Sequence, residues 1–294
     1  MSNEKTLSIS MEKLNKLPPL SNAARKILEI INNPDIDISV FVKVVEQDPV
    51  LLGKLIGLAN SAYYGNRKIS SVERAIIDIL GLRTAKNIAL GVVLSGIFDT
   101  RQCPNFKVAD FWLNSLLSAR LARDFAVYIT DIEQDEAYLC AMLYEIGQMA
   151  LAFLYPEEMN RLLAEEPALI MAGEVENFGR NHYSISAELL EKWNLPEIVV
   201  QVLSESAEIE DSGDKTEQQT AELSKMTQLI LLCKILSTAI LSKEKQVEST
   251  AEQADALPES WPDFLQPIKA ELEAVVRKTA GNLEDYQEMA RLLS

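Results

Sequence analysis

The chain has one histidine, His182, and that single imidazole restricts its chemistry more than any other residue. A reaction or metal site that needs two imidazoles is excluded. Cys103, Cys140 and Cys233 lie far apart, with no C-x-x-C pair, so neither a thiolate zinc site nor a disulfide scaffold is expected. They read as buried structural thiols. The sequence holds no G-x-S-x-G, no P-loop and no G-x-G-x-x-G. A Ser-His-Asp triad would have to use His182, and nothing around Asn181-His182-Tyr183-Ser184 marks a nucleophile for it. The 44 Asp and Glu residues leave a carboxylate-only magnesium site chemically open, but a solvated acidic surface explains them more simply. With an unperturbed pKa of about 6.5, His182 suits a packing or capping role, or a pH-sensing place in a ligand pocket.

Charge narrows the partners. The formal net charge of −16 is uneven: residues 1–100 carry 12 Lys/Arg and 10 Asp/Glu, and the remainder carry 16 and 34. An acidic C-terminal two-thirds repels phosphate backbones, which argues against nucleic acid as a general partner. In the neutral N-terminal third, Arg67, Lys68, Arg74, Arg83 and Lys86 form a modest basic patch that reads as solvated surface. No apolar run is seen that would span a bilayer. The nearest, 88–98, is broken by Gly91 and Gly96. The polar first ten residues do not resemble a signal peptide. A cytoplasmic chain with no membrane partner is the expectation.

The elements that must position these residues are helices. Ala24, Ile27, Leu28, Ile30 and Ile31 share one helix face. Asp48-Pro49 opens a helix as cap and first turn. Ser70 with Glu73 has capping-box spacing, and that helix stops at Gly81. Helical period continues over 84–98, 108–129, 133–154, 156 onward to an interruption at Pro167, 182–193 and 196–206. Residues 207–220 are acidic and polar and read as a linker. An apolar helix over 221–241, too apolar for a free tail, must pack back on the body. Two further helices close the chain. The fold class is all-α, with no strand alternation.

Several segments carry a resemblance. Leu17-Pro18-Pro19-Leu20, then Gln47-Asp48-Pro49-Val50-Leu51, then Leu58-Ala59-Asn60-Ser61-Ala62-Tyr63-Tyr64-Gly65, occur in that order. Ile69-Ser70-Ser71-Val72-Glu73-Arg74-Ala75-Ile76 and Leu80-Gly81-Leu82-Arg83-Thr84 follow. Together they resemble the HDOD family. The resemblance implies a two-lobed helical protein with an HDOD domain over 11–206. An N-terminal bundle (11–99) is followed by a lobe (100–206) akin to HD-domain phosphohydrolases. The 207–220 linker then leads to C-terminal helices (221–294) packing on the HD-like lobe. Asn60, Ser61 and Gly65 suit a tightly packed helix end, with Tyr63 and Tyr64 as anchors. With Arg83 they are also a candidate docking surface.

HD phosphohydrolases hold one or two divalent metals with His and Asp side chains. By the family pattern, Asn114 stands at the first His, Tyr144-Glu145 at the His-Asp pair and Lys234 at a late Asp, while His182 matches a histidine often found there. The resemblance therefore implies a vestigial site at Asn114, Tyr144, Glu145, His182 and Lys234, with no catalytic residue, metal or cofactor. The expected function is non-catalytic bacterial signal transduction. It would act through an unidentified protein partner met in trans, or through a small ligand in the vestigial pocket. The alternative is a residual metal-dependent phosphohydrolase using Asn114, Glu145 and His182. A DNA-binding regulator acting through the N-lobe is a third reading, disfavoured by charge.

Overall fold

The structure, a computed structural model, describes residues 20–31, 33, 36–61, 65, 68–211, 223–246 and 261–294. Among them every regular element is a helix. The first, α1 (Asn22–Ile31), buries Ala24, Ile27, Leu28 and Ile30 on one face. Asp37 caps α2 (Ile38–Glu46) by accepting from the Ser39 N–H at 2.6 Å. Asp48 caps α3 (Pro49–Ala59), accepting from the Val50 and Leu51 N–H groups at 3.0 Å each.

The next cap is Ser71 rather than Ser70. Its hydroxyl accepts from the Arg74 N–H and opens α4 (Val72–Arg74), with Val72 buried directly after it. The helix continues as a π-helical segment, Ala75–Leu80, and ends at Gly81, whose φ is 74°. That left-handed glycine turns the chain with no intervening loop. Hence α5 (Leu82–Ser95) starts two residues before the sequence expectation and also ends earlier.

The second lobe contains α6 (Val108–Ala126), α7 (Gln134–Leu143), α8 (Ile146–Leu154), α9 (Pro156–Leu162), α10 (Pro167–Phe178), α11 (His182–Lys192) and α12 (Glu197–Asp211). Two expectations need correction. The single helix over 133–154 is broken at Tyr144-Glu145. The linker does not begin at 207, because α12 runs through Asp211 and buries Ala207; the rest of that stretch, 212–220, lies outside the described residues. After it come α13 (Lys225–Gln246), a 3-10 turn (Asp263–Ile268), α14 (Lys269–Ala280) and α15 (Leu283–Leu293).

Helix α6 is the hub: α7, α13, α14 and α15 all pack on it, and α15 also reaches α3 and α5 in the N-lobe. A Cβ on Gly91 of α5 would sit 2.7 Å from Met142 Cε and 3.3 Å from Leu293 Cδ1. The bare glycine leaves room for these side-chain ends of α7 and α15 on α5, and one apolar cluster runs through both lobes. Contrary to the sequence expectation, two stretches are apolar and long enough to cross a membrane by length and composition. They are Gln134–Leu154 and Lys225–Ser242, 78% and 50% buried inside the fold.

Candidate functional site

The break at Tyr144-Glu145 coincides with a tertiary contact made just after it. Gly147, in the first turn of α8, lies against α11: its N–H donates to Ser186 Oγ at 2.8 Å, and Ser186 Oγ donates to the His182 carbonyl at 2.8 Å. A Cβ on Gly147 would stand 2.1 Å from that carbonyl oxygen, so only glycine permits the approach. The offset between α7 and α8 turns Glu145 toward α6 and α13.

There the polar side chains meet one another. Asn114 Nδ2 of α6 donates to Glu145 Oε2 at 3.2 Å. Ser237 Oγ of α13 donates to Asn114 Oδ1 at 2.7 Å. The Lys234 ammonium of α13 is ion-paired with Glu145 Oε1 and donates to the Tyr183 hydroxyl. It lies 4.9 Å from the Tyr183 ring centroid and 5.5 Å from that of Tyr144, within cation–π range. The two tyrosine rings are 4.5 Å apart.

Electrostatics follows from this packing. Burial alone would raise the Glu145 carboxyl, but the Lys234 ammonium, the nearby His182 and hydrogen bonds from Lys234 and Asn114 outweigh it and hold it below the usual range. Burial would lower Lys234, but the Glu145 carboxylate, through its charge and its hydrogen bond, outweighs it and holds the ammonium above its ordinary value. Burial pushes the Tyr144 phenol well up, so Tyr144 stays neutral.

His182 begins α11 just beyond the network. Glu174 Oε2 of α10 accepts from the His182 backbone N–H at 2.9 Å and lies 2.7 Å from its Nδ1. Both side chains are fully enclosed, and Glu174 Oε1 and His182 Nε2 have no hydrogen-bond partner among the described residues. Asn181 caps the helix, accepting from the Ser184 N–H at 3.0 Å.

The structure brings Asn114, Tyr144, Glu145, His182 and Lys234 into one region. Sequence reasoning missed Glu174, Tyr183 and Ser237. Glu174 sits in an apolar helix whose only signal was an acid eight residues before the single histidine. The residues do not fit a divalent metal. Their donors are one amide, one carboxylate already neutralised by an ammonium, and one imidazole tied to Glu174. Among the described residues no three His, Cys, Asp or Glu side chains are placed to hold an ion.

The motif residues divide differently. Asn60 clamps its own loop: its Nδ2 donates to the Ile69 carbonyl at 2.8 Å and its Oδ1 accepts from the Ile69 N–H at 2.7 Å. Ser61 is buried, and Gly65 is exposed with φ 87°. Tyr63 and Tyr64 lie outside the described residues. Arg83 is exposed and ion-paired with Asp135 across the lobes at 3.0 Å. It belongs to a separate cleft of about 840 Å³ between the lobes, which none of the Glu145 network lines.

A family model described as HDOD domain matches residues 17–209. An uncharacterized protein of Treponema pallidum (strain Nichols) is 27% identical over 203 residues, covering 65% of this chain and 38% of that protein. Two solved structures share the fold. A candidate signal transduction protein from Marinobacter aquaeolei VT8 is 22% identical with a TM-score of 0.70, covering 99% of this chain and 63% of that one. A candidate phosphohydrolase from Shewanella amazonensis SB2B is 21% identical with a TM-score of 0.69, covering 97% of both chains. The chain therefore spans well under half of the Treponema protein and less than two thirds of the Marinobacter one.

Proposed function

Since the chain belongs to the HDOD family, we propose that it is a non-catalytic regulatory module of bacterial signal transduction that works by binding. The observation that carries this reading is the Lys234 ammonium on Glu145. In an HD-type phosphohydrolase the carboxylates hold a metal that polarises phosphate and activates water. In this chain a tethered lysine side chain supplies the positive charge instead. An ammonium offers no vacant coordination position for water or phosphate, and with Asn114 it occupies both Glu145 oxygens on the side facing α6 and α13. The site then does structural work, tying α6, α8 and α13 together at the centre of the HD-like lobe.

Such a module acts through what it binds, a protein met in trans or a small ligand, in the cytoplasm. The acidic C-terminal two-thirds favours a basic partner surface. The test is hydrolysis of p-nitrophenyl phosphate and bis(p-nitrophenyl) phosphate with manganese or iron supplied. The reading requires that wild type and Glu145→Ala be indistinguishable. Metal-dependent turnover that disappears in Glu145→Ala sinks it. Affinity purification from the native cell then identifies the partner.

A further inference from the structure

The interlobe cleft of about 840 Å³ lies outside the Glu145 network and combines features that none of the known properties of the chain uses. Its volume is that of a small-molecule pocket, and a junction between lobes is a usual place for one. Its apolar lining comes from both sides, Ile31 and Leu80 of the N-lobe and Leu139 and Leu195 of the second lobe. The N-lobe side also carries the start of α5, next to Leu80, where Gly81 supplies no side-chain cap. The first-turn amides of that 14-residue helix therefore present the positive end of its dipole to the cleft.

Three cationic side chains line the same space: Arg83, Lys86 and Arg123. Arg83 is held by Asp135. Lys86 and Arg123 form no ion pair among the described residues. Lys86 is half-buried, and burial lowers its ammonium, with Asp135 only partly offsetting the loss. Two cations without an ion pair among the described residues thus stand beside a helix N-terminus, in a cleft that Asp135 and Glu136 also line. Asn87 is the second, independent sign. It is 8% exposed, lines the cleft, and its side-chain amide makes no hydrogen bond among the described residues. Its amide atoms are not fully enclosed, so they open onto the cleft, where a ligand group would meet them. Asp135 Oδ1 has no hydrogen-bond partner among the described residues and is an acceptor for a hydroxyl or amino group.

We infer that the cleft between α5 and the α6, α7 and α12 side is a binding site for a small phosphorylated molecule with the chemistry of a nucleotide. The phosphate would lie on the α5 N-terminus between Lys86 and Arg123. The apolar or planar body would lie against Leu139 and Leu195, and its polar edge would meet Asn87 and Asp135. A ligand so placed touches both lobes and favours whichever lobe arrangement it fits better.

The inference rests on the reading of the chain as a binding module, yet the two fail separately. Metal-dependent turnover lost in Glu145→Ala would remove the module reading and leave the cleft intact. The experiment is isothermal titration of the full chain with adenosine 5′-monophosphate, adenosine and inorganic phosphate, for wild type and Lys86→Ala/Arg123→Ala. Neither substituted residue makes an ion pair within the described fold, and a thermal melt checks that the variant is folded. The expected result is that the nucleotide binds wild type at least about tenfold more tightly than either fragment. The variant should lose about tenfold or more of that affinity. No binding of the nucleotide at millimolar concentration, equal binding of nucleotide and phosphate, or equal affinity in the folded variant would each overturn the inference.

Discussion

Lys234 of α13 pairs with Glu145 at the α7–α8 break while donating to the Tyr183 hydroxyl, and this contact joins three helices that are remote in sequence. Removing one partner strands the other. Lys234→Met leaves the Glu145 carboxylate without its ammonium, with the Asn114 amide as its hydrogen-bond donor among the described residues, and a buried pair broken on one side costs about 3–5 kcal/mol. With these side chains 24% and 13% exposed, the lower end of that range applies. Lys234→Met/Glu145→Gln should recover part of the loss, and a double-mutant cycle by urea unfolding measures the coupling. Additive single effects would mean that the pair is not coupled.

The same pair sets a pH dependence. Glu145 titrates lower in the fold than in the unfolded chain, so its contribution is present above the unfolded value of about 4.3 and is lost as pH falls through the folded value. Lys234 titrates higher in the fold, so its contribution is present below about 10.4 and is lost as pH rises through the folded value. The Tm gap between wild type and Lys234→Met/Glu145→Gln should be flat near neutrality and narrow at both extremes. A gap that widens below about pH 4 would reverse the assigned sign.

Gly147 is the steric condition for the site. A methyl group 2.1 Å from the His182 carbonyl and 2.8 Å from Ser186 Oγ must push α8 from α11. Overpacking of this kind costs about 1–3 kcal/mol, and more against backbone. Gly147→Ala should therefore lower Tm more than Gly53→Ala, where a Cβ meets nothing within 4 Å. Equal melting points would show that α8 and α11 can separate freely.

How much of this was legible in the sequence depends on what each signal measures. Apolar period and caps such as Asp48-Pro49 are local, so the all-α fold and most helix starts could be read directly. The break at Tyr144-Glu145 could not, because both flanks have helical period and the interruption comes from Gly147 meeting the carbonyl of a distant helix. Ser71 displaced Ser70 as cap because burial of Val72, a tertiary demand, set the register. The site positions came from the order of family motifs, which place residues without showing their contacts. Hence Asn114, Glu145 and Lys234 were found, and their mutual pairing was not. Glu174 had no motif at all.

The most direct test of the central claim is the metal content of the purified full chain, measured by plasma mass spectrometry after incubation with manganese, iron and zinc and removal of the excess. With Lys234 seated on Glu145, the chain should retain far less than one equivalent, and Glu145→Ala should change nothing. One equivalent or more retained by wild type and lost in Glu145→Ala would contradict the account.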